Sequence, residues 1–210
     1  AIFNYIPICN YTGNLNFDKY YGFKYAPVSK EFFDQEIKSE IDVLCIFGGG
    51  EFQSGPDIIS SIAHKSMVKT LDFLIIVSPH YPVKDLNRLK KLYPKIKFKQ
   101  NVDSISYYIQ KSKLVICTYG NLAYESMTMW KPTFLVGYYR FQEKFSNYLA
   151  GKNVAYNLGF IKKLNREKLN ILFDKNILNN LVEECSQEFK IPGIENISSI
   201  IHKEIKNVSH

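Results

Sequence analysis

From Ile41 onward the chain repeats one unit: a short apolar run, a turn, then a stretch with apolar residues three or four positions apart. The apolar runs are Ile41 to Phe47, Phe73 to Val77, Ile96 to Phe98, Leu114 to Cys117, Thr133 to Val136 and Val154 to Tyr156. Each is too short for a core helix, so each reads as a strand. The stretches between them read as helices. One starts at Ser54-Gly55-Pro56-Asp57, with proline at the first helical position, an acid in the first turn, and Ile58, Ile59, Ile62, Ala63 and Met67 at helical spacing. Others carry Leu86, Leu89 and Leu92, then Ile105, Tyr108 and Ile109 behind an Asp103 cap, then run from about Asn121 to Trp130, then place Phe141, Phe145, Tyr148 and Leu149 on one face. Strand–helix alternation of this kind builds right-handed crossovers and a parallel sheet. Unbroken apolar strands fit a sheet covered on both faces. The expected fold is therefore α/β, a Rossmann-like three-layer αβα sandwich with about six parallel strands.

Composition narrows the class. The chain has 210 residues, 46% hydrophobic and 22% charged, values of an ordinary globular protein. No apolar run approaches the roughly 20 residues that span a bilayer. The first residues show no secretory signal, and the absence of an initial Met suggests a chain trimmed from something longer. Net charge is +7, and much of the excess sits in residues 84–99, where Lys84, Arg88, Lys90, Lys91, Lys95, Lys97 and Lys99 face only Asp85. Nucleic-acid binding would want that charge interleaved with stacking aromatics. No known nucleic-acid module is recognisable there and Lys rather than Arg dominates, so the patch reads as a solvated helix face. Cys9, Cys45, Cys117 and Cys185 form no CxxC pair, and His64, His80, His202 and His210 lack metal-ligand spacing. No metal and no cofactor are expected, and a reducing, cytoplasmic setting fits.

The ends differ from the centre. Residues 1–8 read as a strand, residues 9–25 as a linker rich in Asn, Tyr and Gly, and Ser29 to Glu36 as a helix or turn. After residue 160 the pattern is helical. One stripe comprises Leu178, Leu181, Val182, Cys185 and Phe189, and another Ile194, Ile197, Ile201, Ile205 and Val208. This suggests a division into 1–40, 41–160 and 161–210, the last being helices packed on the central domain.

In a parallel α/β sheet, ligands bind beyond the carboxyl ends of the strands. Four loops there can carry chemistry. Gly48-Gly49-Gly50 follows the first core strand, and glycines let a backbone approach an anion closely. It lacks the lysine of a Walker A loop and the third glycine of a dinucleotide fingerprint. Thr118-Tyr119-Gly120-Asn121 ends the fourth core strand and opens a helix whose N-terminus suits a pyrophosphate. Glu125 stands one turn inside that helix, facing the same mouth, where a carboxylate can accept both hydroxyls of a ribose. Asn101-Val102 follows the third core strand, where backbone groups could read a base edge. Gly137-Tyr138-Tyr139-Arg140-Phe141-Gln142 follows the fifth and offers aromatics, a cation and an amide.

These stretches carry a resemblance. Phe47-Gly48-Gly49-Gly50, Asn101-Val102, Leu114 through Glu125, and Pro132-Thr133 with Gln142 and Asn157-Leu158-Gly159 resemble the C-terminal nucleotide-sugar-binding domain of GT-B glycosyltransferase-like proteins. The pattern is most similar to the group holding the UDP-sugar hydrolase of pseudaminic acid biosynthesis and the spore-coat polysaccharide biosynthesis proteins. The MurG-type transferases resemble it more distantly. Tyr21 to Ala26, running to Glu31-Phe32, resembles the segment between the two domains of such proteins. Tyr119 takes the place of the group's first loop glycine, Asn121 of its Ser, Leu122 of its Thr, and Phe141 of the Asn before Gln142.

The resemblance implies one half of a GT-B fold and a UDP-sugar ligand. Gly48, Gly49, Gly50, Thr118, Tyr119, Gly120 and Asn121 would hold the diphosphate. Glu125 would hold the ribose, Asn101 and Val102 the base, and Gln142 the sugar. It also implies a partner, an N-terminal domain that supplies the catalytic group, so no catalytic residue is assigned within this chain. Two rival expectations stand beside it: a UDP-N-acetylglucosamine 2-epimerase-like half, and a non-catalytic binding or scaffold domain.

Overall fold

The computed structural model describes residues 2–4, 19–33, 39–47, 54–66 and 70–208. Two strands open the chain, β1 (Ile2–Asn4) and β2 (Lys19–Tyr21), paired parallel. The second falls in the stretch expected to be a linker. At three residues it is too short to show an alternation. Then come β3 (Ile41–Ile46), α1 (Ser54–Ser66), β4 (Phe73–Ile76), α2 (Val83–Leu92), β5 (Lys97–Lys99) and α3 (Ile105–Gln110). These are followed by β6 (Ser112–Thr118), α4 (Asn121–Thr128), β7 (Thr133–Gly137), α5 (Arg140–Gly151) and β8 (Tyr156–Phe160). The chain closes with α6 (Arg166–Leu169), α7 (Lys175–Glu188) and α8 (Gly193–Val208).

The main sheet has six strands, all parallel, in the order β5-β4-β3-β6-β7-β8. The expected three-layer α/β architecture is what the chain adopts. Strand order reverses between β3 and β6, and the crevice of such a fold opens there.

Alternate residues of each strand enter opposite layers. Val43 and Cys45 of β3, Phe73 and Ile75 of β4, Leu114 and Ile116 of β6, and Phe134 and Val136 of β7 face α1, α2 and the segment 161–181. Leu44 and Ile46, Leu74 and Ile76, Val115 and Cys117, and Leu135 face α3, α4, α5 and the segment 23–33. Every one of these side chains is at most 5% exposed. Burying each contributes about 1.5–3 kcal/mol, so the doubly covered centre of the sheet holds the fold together. Cys45, Cys117 and Cys185 are free and buried, and burial raises each thiol's pKa. Cys9 lies outside the described residues.

Several local expectations are corrected. The cap of α3 is Ser104, whose Oγ accepts from the Tyr107 amide at 3.2 Å, and not Asp103. The last strand begins at Tyr156, where it was expected to end, and contains Asn157-Leu158-Gly159. The helix or turn expected over Ser29 to Glu36 is a 3-10 helix at Lys30–Phe33, and residues 34–36 lie outside the described residues. On α7, Leu181 and Cys185 are buried but Val182 is 37% exposed. On α8, Ile194, Ile201 and Ile205 are exposed. Lys84, Arg88, Lys90, Lys91, Lys95, Lys97 and Lys99 are all exposed, and two of these cations are paired, Arg88 with Asp57 at 2.8 Å and Lys97 with Asp72 at 2.7 Å.

Candidate functional site

The carboxyl ends of five strands surround one cavity of about 550 Å³. Ile46 and Phe47 leave β3, Ile76 to Pro79 leave β4, and Asn101 and Val102 follow β5. Thr118 to Leu122 join β6 to α4, and Phe141 and Gln142 open α5. Thr118, Tyr119, Gly120, Asn121, Asn101, Val102 and Gln142, all singled out in the sequence, therefore share one cavity. Gly48, Gly49 and Gly50 lie outside the described residues.

The start of α4 has no side-chain cap. Gly120 is its N-cap and offers no side chain to satisfy the first turn. The amides of Asn121 and Leu122 have no acceptor within the helix, as at every helix start, and the helix dipole adds positive potential. Gly120 has φ +155° and ψ −164°, a region open to little besides glycine. Tyr119 is not among the residues at positive φ. The loop thus keeps glycine at the one position whose backbone demands it. The Tyr119 ring stacks on Phe145 at 4.8 Å and meets Tyr124 edge-on at 6.2 Å. Its bulk is taken up by an aromatic layer between α4 and α5.

Asn101 adopts φ +54°, the left-handed conformation that Asn tolerates better than most residues. The turn leaves Asn101 exposed beside Val102 at the cavity wall. Next to it, the Gln100 amide donates to the carbonyls of Ser78, Pro79 and Tyr81 at 3.1, 3.2 and 2.8 Å. Three bonds from one amide fix the loop after β4. His80, in that loop, does not line the cavity and is exposed.

Gln142 is buried, and its Oε1 accepts from the amides of Tyr138 at 2.7 Å and Tyr139 at 3.3 Å. Its carbonyl end caps its own helix, so only the amide nitrogen is left to meet a ligand. Tyr138 accepts from the Ser54 hydroxyl and the Gly55 amide, which ties the first turn of α1 to the loop after β7.

Glu125 is placed differently from the expectation that it faces the main mouth. It lines an adjoining pocket of about 480 Å³ with Pro27, Ser29, Glu31, Asp103, Ser104 and Ser106. The two spaces share the side chains of Ile105 and Leu122. Burial and then the neighbouring Glu31 raise the Glu125 pKa above the ordinary carboxylate range. Ser106 donates to Glu31 at 3.4 Å and shares a 2.8 Å hydrogen bond with Ser104. This is a setting of oxygen acceptors and hydroxyls, matched to a polyhydroxylated group.

The sequence reading missed Ser78, Pro79 and the apolar wall of Ile46, Ile76, Ile105 and Leu122. Apolar lining looks like core in a sequence, because both follow the same periodicity. It also missed Ser104 and Ser106 beside Glu125, for which only the turn before α3 gave a signal. Among the described residues, no three His, Cys, Asp or Glu side chains gather as metal ligands would, and no helix is long and apolar enough to cross a membrane.

No family model matches the chain, and no curated protein matches it in sequence. Solved structures match its fold. The MurG of Acinetobacter baumannii superposes with a TM-score of 0.60 at 15% identity, over 89% of this chain and 56% of that one. CalG4, the calicheamicin glycosyltransferase, gives 0.63 at 13% identity, over 81% and 44%. The spinosyn rhamnosyltransferase SpnG, complexed with thymidine diphosphate, gives 0.57 at 14% identity, over 79% and 46%. The chain spans about half the length of each of these structures. It is similar in fold to one half of the GT-B glycosyltransferases, with a six-stranded parallel Rossmann-like sheet and a helical C-terminus.

Proposed function

We propose that this chain is the nucleotide-sugar-binding half of a GT-B-like glycosyltransferase or hydrolase, with a UDP-linked sugar as its ligand. The observation that carries the reading is the shared cavity. An uncapped helix start at Gly120-Asn121, a left-handed turn at Asn101-Val102 and the buried Gln142 meet around one space at the point where strand order reverses. The diphosphate would lie on the amides at the start of α4, with Thr118 and Tyr119 beside it. By sequence, Gly48, Gly49 and Gly50 would also contribute to holding it. The base would lie against Asn101 and Val102, the ribose hydroxyls on Glu125, and the sugar at the start of α5 near Gln142.

Neighbours of the same fold support a nucleotide ligand. One solved structure of SpnG holds thymidine diphosphate, and the teichoic acid polymerase TagF was soaked with CDPG. The preference for uridine, and for the hydrolase of pseudaminic acid biosynthesis or the spore-coat proteins as the pathway setting, rests on the sequence resemblance. The reacting group would come from an N-terminal domain across the cleft, since binding energy serves chemistry only where reacting groups are also positioned. Among the described residues, His80 is the one histidine in a loop at the ligand end of the sheet, and it stands outside the cavity. We therefore assign no catalytic residue here.

Calorimetric titration with UDP, CMP and GDP tests this reading, together with Glu125→Ala. UDP is expected to bind best, and the variant to lose about 1–3 kcal/mol, the worth of hydrogen bonds to a charged partner. The sign with pH follows from the raised Glu125 pKa. The ionised carboxylate is the acceptor, so affinity should fall as pH falls through a range above the usual carboxylate value. Glu125→Ala should lack that limb. Binding of none of the three nucleotides would favour the scaffold reading instead.

A further inference from the structure

The Tyr139 and Phe141 rings, the second at the mouth of the cavity, are stacked nearly parallel, 9° apart in plane with centroids at 5.8 Å. Both are more than half exposed, at 52% and 57%. Large aromatics left in water at the rim of a cavity mark a surface that something apolar and flat covers. Two rings held face to face lose little conformational freedom when it does. Their position is fixed: Tyr139 is the N-cap of α5, Phe141 lies in its first turn, and the Gln142 carbonyl bonds the backbone beneath them.

We infer that Phe141, backed by Tyr139, is a stacking platform for the C–H face of the sugar ring, and that it sets which sugar this chain accepts. The inference rests on the nucleotide-sugar reading and extends it to the specificity of the sugar. Direction comes from the strand order. Asn101 follows β5, the diphosphate site follows β6, and Phe141 follows β7. From β5 to β7 is four inter-strand spacings, roughly 19 Å, the scale of an extended nucleotide sugar. A ligand with its base at β5 and its diphosphate at β6 therefore delivers its sugar to β7. There it meets an aromatic face, with the carbonyl of Gln142 already spent. Such a site reads the apolar face of a ring more than its hydroxyl pattern. It favours sugars whose C–H face is unbroken on one side.

The test is calorimetry of the 210-residue chain and of Phe141→Ala and Phe141→Tyr, each titrated with UDP, UDP-N-acetylglucosamine, UDP-glucose and UDP-galactose. At least one UDP-sugar should bind more tightly than UDP. For that sugar, Phe141→Ala should cost roughly three- to tenfold in affinity, the worth of one aromatic stacking contact. UDP binding should stay unchanged, and Phe141→Tyr should restore the increment. Equal losses for UDP and UDP-sugars, no loss for either, or UDP-sugars no tighter than UDP in the unsubstituted chain would overturn the platform. If UDP itself fails to bind, the nucleotide reading falls and takes the platform with it. Phe141 is exposed, so its replacement leaves the core intact, and unchanged melting of the variant verifies that.

Discussion

At the residue scale, the loop proposed to hold the phosphates turns on one glycine and one tyrosine. Gly120 occupies backbone space that a side chain reaches only at a cost of about 1–3 kcal/mol. Nothing lies within 4 Å of a Cβ built there, so the constraint is torsional and not steric. Gly120→Ala should therefore lower stability by about that amount and weaken UDP binding, as thermal melting and titration would register. Tyr119→Gly is expected to differ from Gly120→Ala in its effect on affinity. It removes the ring stacked on Phe145, costing about 0.5–1.5 kcal/mol of stability, yet leaves affinity near its starting value. Improved binding in Tyr119→Gly would mean that the tyrosine obstructs the anion site. A reader of the sequence alone sees a glycine replaced by a bulky residue and doubts the loop. The torsions show that the replaced position never needed glycine.

At the element scale, the strands and helices of residues 41–160 were legible because short unbroken apolar runs alternate with stretches of period about 3.6. The ends of elements were less so. Asp103 and Ser104 are both good N-caps, and only the Ser104 Oγ reaches the Tyr107 amide. β2 and the 3-10 turn at Phe23–Tyr25 left no periodic mark, since each has three residues. That turn matters to the packing of α8. Asn196 donates to the Lys24 carbonyl at 2.8 Å, and a Cβ on Gly193 would overlap the backbone of Ala26. The close approach of α8 to this segment depends on glycine for lack of space. Gly193→Ala should force the two apart and cost about 1–3 kcal/mol, the usual penalty of overpacking. A drop in melting temperature with UDP affinity unchanged is the expected pair of results. An unchanged melting temperature would mean that the contact is not tight.

At the scale of the whole molecule, the site is a consequence of topology. Residues up to 96 positions apart in sequence, from Ile46 to Gln142, meet because parallel strands deliver all their following loops to one end of the sheet. The sequence pointed to that end, and five of its loops do line the cavity. It misdirected Glu125, because a helical residue one turn in can face either side of its helix mouth, and the choice is made by α3 and the segment around Glu31. On the proposed reading, the strand order sets out positions across the sheet: base after β5, phosphates after β6, sugar after β7.

The phosphate position carries the central claim, and it is tested most directly by titrating the chain with UDP and with UMP under identical conditions. If the amides at the start of α4 hold the second phosphate, UDP should bind roughly tenfold or more tightly, the worth of one or two charge-assisted hydrogen bonds. Equal affinities for the two nucleotides would contradict the account, for the loop at Gly120 would then be a turn and nothing more.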